Sequence, residues 1–112
     1  MKIIEEIEKT RQKVSLNNEI YKQKLYEQYF TPLDITKYMS NLFSDGNNLK
    51  ILDAGAGVGN LGAVTAIRCL EKKSTNNLEL TLIEWDERLI PTIKSNMKII
   101  KKQYDSFTYK VF

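Results

Sequence analysis

Apolar residues recur at helical spacing through the start of the chain: Ile3, Ile4, Ile7, Val14, Ile20, Tyr21 and Leu25. This pattern predicts helix over residues 2–28. Ser15-Leu16-Asn17-Asn18 weakens it, so a break or a second helix is expected there. Glu5–Lys9 and Glu8–Arg11 have the spacing of pairs on an exposed helix face. A helix-start signal follows in Thr31-Pro32-Leu33-Asp34. Thr31 is a natural N-cap, Pro32 suits the first helical position, and Asp34 lies three residues after the cap. Ile35, Tyr38, Met39, Leu42 and Phe43 then share one face of that helix, which stops at the turn cluster Ser44-Asp45-Gly46-Asn47-Asn48.

From there the period changes. Residues 50–53 read as a short apolar strand, and a glycine loop leads into a helix over residues 59–72. Val64, Ile67 and Leu70 lie along it, with Cys69 as a small core residue and Lys72-Lys73 complementing the helix dipole. After the loop Ser74-Thr75-Asn76-Asn77, residues 78–84 form a second strand, near-continuously apolar as a strand covered on both faces would be. Asp86 or Glu87 opens a further helix that ends near Lys101-Lys102, with Pro91 in its first turn. Residues 107–112 alternate as a third strand. Strands alternating with helices predict an α/β fold with a parallel sheet, and a right-handed crossover makes the first two strands neighbours. Residues 1–30 form an N-terminal helical segment, and residues 31–112 an α/β unit.

Composition narrows the chemistry. The 112 residues allow one small domain. With 42% hydrophobic and 28% charged residues the chain is globular rather than disordered. A net charge of +3 permits contact with nucleic acid without arguing for it. One cysteine excludes an internal disulfide and favours a reducing, cytoplasmic setting. The absence of histidine removes His-based triads and the commonest zinc ligand, so no metal site is expected. No apolar run is long enough for a signal peptide or a membrane span, so no membrane partner is expected.

The candidate chemistry lies where the first strand meets the loop, in Leu52-Asp53-Ala54-Gly55-Ala56-Gly57-Val58-Gly59-Asn60-Leu61. Glycines there let the backbone approach a ligand closely. Gly55, Gly57 and Gly59 make G-x-G-x-G, and Asn60 stands where a dinucleotide loop has its last glycine. Asp53 would repel a pyrophosphate, but it suits the ammonium and sulfonium of S-adenosylmethionine. Glu84, ending the second strand, is placed to accept the two hydroxyls of a ribose. Trp85 is placed to cover an adenine ring.

Three segments together resemble the adenine-N6 DNA methyltransferases: Gln28-Tyr29-Phe30-Thr31-Pro32, the loop from Leu52 to Leu61, and Ile83-Glu84-Trp85-Asp86. The chain looks most like the modification parts of type I and type IIG restriction–modification systems. The resemblance runs from about Glu27 to the C-terminus. It implies a partial Rossmann-like class I methyltransferase fold, with parallel strands ordered 3-2-1, flanking helices and a preceding helical segment. It implies that Asp53, Gly55, Gly57, Gly59, Asn60, Leu61, Glu84 and Trp85 hold S-adenosylmethionine. Tyr29, Phe30 and Thr31 would pack over its methionine end. In that family an Asn/Asp-Pro-Pro-Tyr/Phe motif after the fourth strand grips the flipped adenine. Pro32 and Pro91 are the only prolines here, so no Pro-Pro pair is present. The resemblance therefore implies a cofactor half without a catalytic residue, inactive alone and serving DNA methylation in the complete protein.

Other readings share these residues. An RNA or protein methyltransferase uses the same cofactor half. A non-enzymatic interaction module would keep the loop as a relic. The N-terminal helix is either a solvated amphipathic helix or an arm that meets a protein or DNA through Lys22 and Lys24. In the family's strand order the fourth strand lies beside the first. Without it Ile51 and Leu52 sit at an open apolar edge, so self-association through that edge, or its cover by the N-terminal helix, is expected.

Overall fold

The computed structural model describes residues 2–17, 30–42, 46–72 and 74–112. Helix α1 spans Lys2–Asn17 and α2 spans Leu33–Ser40. Then come β1 (Asn48–Ala54), α3 (Asn60–Leu70), β2 (Asn77–Ile83), a 3-10 turn (Glu87–Leu89), α4 (Ile90–Gln103) and β3 (Phe107–Val111). The strands form one parallel sheet in the order β1-β2-β3, with Ile51 beside Leu80 and Leu80 beside Tyr109. This is the expected α/β arrangement, a partial Rossmann-like unit with the 3-2-1 strand order. The expected helix through residues 18–28 lies outside the described residues, as do Lys22, Lys24, Gln28, Tyr29 and Phe43.

Two crossovers of one hand put α3 and α4 on the same face of the sheet, where they touch each other. Leu78, Leu80 and Leu82 of β2 point into that layer and are fully buried with Ile67, Ile93, Met97, Ile100 and Phe107. Each such side chain contributes about 1.5–3 kcal/mol by leaving water. Among the described residues no helix covers the opposite face. On it Leu52 is 63% exposed and Ile83 43% exposed, and Lys110 pairs with Glu79 at 3.1 Å. The expectation that β2 is covered on both faces is therefore corrected, since burial alternates along it. Its apolar run serves one packed face and one solvent face.

Helix α1 packs across α3 and α4, with Ile4 and Ile7 buried in the common core. It does not run along β1, so the cover expected for that edge is not what α1 provides. The Glu8–Arg11 pair forms, but on a mostly buried face rather than an exposed one. Glu8 Oε2 also accepts the Leu33 N–H at 3.2 Å, which ties α1 to the first turn of α2. That contact replaces the expected Thr31 cap. Pro32, with φ −63° and ψ 157°, holds the N-cap position, and no side chain of its own caps the helix. The Thr31 carbonyl is engaged elsewhere.

The seating of α2 is inverted relative to its sequence pattern. Thr36 and Ser40 are buried against α3, whereas Ile35, Tyr38, Met39 and Leu42 face solvent. The two hydroxyls bond backbone carbonyls one turn back, Thr36 to Pro32 at 3.0 Å and Ser40 to Lys37 at 2.7 Å. Their polarity is thereby satisfied inside the helix, and the small side chains let α2 approach α3.

Candidate functional site

The site sits at the C-terminal end of β1 and β2. Gly55, Gly57 and Gly59 all have positive φ, at 75°, 61° and 80°. That alternation is open to glycine and strained for other residues, which is why the loop needs three of them. The loop is fastened to the end of β2. The Ile83 carbonyl accepts the N–H groups of Gly55 at 2.7 Å and Ala56 at 2.9 Å. Gly59 turns inward, where a Cβ would stand 3.3 Å from Leu82 and 3.5 Å from Ile93 and Met97. Its place in the site is one of packing beneath the loop.

Glu84 is buried and faces the loop. Its Oε1 accepts the Gly57 N–H at 2.7 Å and its Oε2 accepts the Asp86 N–H at 2.9 Å. Each oxygen retains a lone pair for a further donor. Asp53 Oδ2 accepts the Gly62 N–H at 3.2 Å. Gly62 lies in the first turn of α3, so Asp53 satisfies one orphan donor of that helix and complements its dipole. Burial pushes the Asp53 carboxyl above its ordinary value; the Gly62 N–H opposes this, and the nearby Glu84 charge adds to it. Among the described residues neither Asp53 nor Glu84 has a cationic partner, whereas Asp86 is paired with Arg88 at 2.8 Å. Two carboxylates without a cationic partner among the described residues thus stand beside the loop.

The segment before α2 closes over this loop. A Cβ on Gly57 would stand 2.9 Å from Phe30 Cδ1, so the Phe30 ring lies directly on that glycine. The Asn60 side-chain amide donates to the Thr31 carbonyl at 2.5 Å. Phe30, Thr31, Asp53, Gly55, Ala56, Gly57, Asn60 and Leu61 line one cavity of about 50 Å³. Seven of the eleven residues singled out from the sequence thus share one wall. Glu84 joins them through Gly57, Trp85 stands at the same end of the sheet, 70% exposed, and Tyr29 lies outside the described residues. A second, apolar cavity of about 110 Å³ lies beneath Asp53, between Met39, Leu52, Leu61 and Thr65.

Sequence reasoning missed two residues of this site. A Cβ on Gly62 would come within 2.9 Å of Asp53 Oδ2 and 3.3 Å of Leu80, so this glycine sets how closely α3 approaches the sheet. Its signal was its place, one turn after the loop. Asn96, 1% exposed, donates to the Val58 carbonyl at 2.9 Å. Its signal was a carboxamide on the apolar face of Ile93, Met97 and Ile100.

A parallel sheet whose first strand delivers a glycine loop, with a carboxylate just past the end of the second facing that loop, has a partial Rossmann-like architecture. The chain is similar to the type II methyltransferase M.BsuBI of Bacillus subtilis, at 36% identity over 101 residues. The match covers 88% of this chain and 20% of that protein, so the chain spans about a fifth of the length of this relative. The similarity supports a methyltransferase relationship. The relative carries a type II name, where the sequence resemblance pointed to type I and type IIG systems. No protein-family model matches the chain.

Proposed function

We propose that this chain is the S-adenosylmethionine-binding part of a DNA adenine-N6 methyltransferase of a restriction–modification system. The observation that carries the reading is the pair of carboxylates, Asp53 and Glu84, that face the glycine loop without a cationic partner among the described residues. The residues fit the cofactor's chemistry. Asp53 offers negative charge to an ammonium or sulfonium. Glu84 keeps acceptor capacity for ribose hydroxyls while bracing Gly57. Trp85 offers an exposed aromatic face at the adenine end. Phe30 and Thr31 roof the opposite end. A cavity of about 50 Å³ holds one or two waters. Phe30 must therefore swing off Gly57 to admit a ligand several-fold larger.

When bound, the cofactor supplies an activated methyl group on sulfur. This chain's part is to bind, orient and shield it. Catalysis then comes from proximity to a substrate amine held by polypeptide outside these 112 residues. DNA is the proposed substrate of the complete protein, and an Asn/Asp-Pro-Pro-Tyr/Phe motif outside this chain its proposed grip on adenine.

β1 pairs on one side only among the described residues, and Met39 of α2 shares a cavity with Ile51 and Leu52 of β1. We place a further strand on the other side of β1 in the complete protein. The isolated chain is expected to self-associate along that edge. A monomer by sedimentation, with fast-exchanging β1 amides, counts against this.

The functional test is photochemical crosslinking of methyl-labelled S-adenosylmethionine to the chain, followed by peptide mapping. Label on the segments holding Phe30, residues 53–61 or Trp85 supports the reading, and label elsewhere or none overturns it. Incubation with unmethylated DNA tests the rest: the chain alone should transfer nothing. The complete protein should place label in N6-methyladenine. Label in methylcytosine would refute the adenine assignment.

A further inference from the structure

The loop that faces the candidate ligand is fixed on three sides. Ile83 and Glu84 hold it from the end of β2, and Phe30 lies on it from above. The third hold comes from α4. Asn96 sits on the face of α4 that also carries Ile93, Met97 and Ile100, all fully buried. Its amide crosses 38 positions of sequence to donate to the Val58 carbonyl at 2.9 Å. Val58 stands between Gly57 and Gly59, the two glycines whose conformations decide where the loop's N–H groups point. A buried carboxamide in an apolar layer is costly unless its bonds are made, and here its donor is spent on the loop backbone.

We propose that Asn96 is a positioning residue for the cofactor: it sets the orientation of the Val58 peptide, and through it the Gly57 backbone that lines the candidate cavity. The inference rests on the S-adenosylmethionine reading for its ligand, but the loop geometry it concerns belongs to the free chain. Asn96 acts from the far side of the loop, through Val58.

The test compares Asn96→Leu, which keeps the volume and removes the donor, with Ile100→Val, which weakens the same helix face without reaching the loop. Three quantities are measured on each: thermal stability, S-adenosylmethionine affinity by calorimetry, and the amide resonances of Gly57 and Gly59 in the free chain. Asn96→Leu should weaken binding about tenfold, the worth of one well-made buried bond, and shift both glycine amides. Ile100→Val should lower the melting temperature while leaving affinity and both amides unchanged. If affinity in the two variants simply follows stability, or if both glycine amides stay fixed in Asn96→Leu, the positioning role is wrong. Wild type that binds no cofactor would overturn the cofactor reading instead, and the amide shifts would still decide whether Asn96 sets the loop.

Discussion

Substituting Gly62 by alanine sets two effects against each other. Alanine favours helix over glycine by about 0.5–1 kcal/mol. Against this, the new Cβ would stand 2.9 Å from Asp53 Oδ2 and 3.3 Å from both Leu80 methyl carbons. Leu80 is fully buried, and Asp53 is held by the Gly62 N–H itself, so neither neighbour yields freely. Overpacking of this kind costs about 1–3 kcal/mol. The net expectation is a loss of about 1–2 kcal/mol. For 112 residues the entropy of unfolding makes each kcal/mol worth roughly 4 °C, so the melting temperature should fall by roughly 4–8 °C. Thermal unfolding followed by circular dichroism measures this directly. A melting temperature equal to or above that of wild type would refute the claim that Gly62 sets the approach of α3 to the sheet.

Two further perturbations probe the site. Gly57→Ala forces a side chain into φ +61° and against Phe30, and should destabilise the chain by about 1–2 kcal/mol in chemical denaturation; an unchanged midpoint would contradict the reading of a loop built on glycine. The Asp53 carboxyl is raised by burial, so its protonation favours the fold: that contribution is full below its ordinary value of 3.8 and is lost as pH rises through the folded value. Cation binding has the opposite sign, because it needs the carboxylate. Calorimetric affinity should therefore strengthen as pH rises above the ordinary carboxyl value of 3.8 and through the raised folded value, and a flat profile would remove Asp53 from the binding site.

Where the chain had to make a local choice, its residues declared it. The runs around Ile51 and Leu80 became adjacent parallel strands, and Pro91 fell in the first turn of α4. The loop glycines took up positive φ at the C-terminal end of β1, and Phe30 and Thr31 line the same cavity as Gly55 and Gly57. Periodicity showed that Ile35, Tyr38, Met39 and Leu42 share a face, but it carries no information on what covers that face. The structure seats Thr36 and Ser40 inward instead. The Glu8 contact with Leu33 spans 25 positions, and Asn96 reaches Val58 across 38. Such contacts follow from how the helices stack on the sheet, which no local window contains. The same holds for Gly62, whose importance comes from Leu80 eighteen residues later.

The most direct test of the account is a calorimetric titration of the chain with S-adenosylmethionine, with Asp53→Asn as the comparison. Asparagine keeps an acceptor for the Gly62 N–H, so the cap on α3 survives while the charge is removed. The account predicts saturable binding by wild type and a loss of about tenfold or more in a folded Asp53→Asn. Equal affinity in the two proteins, or no binding by a folded wild type, would contradict it.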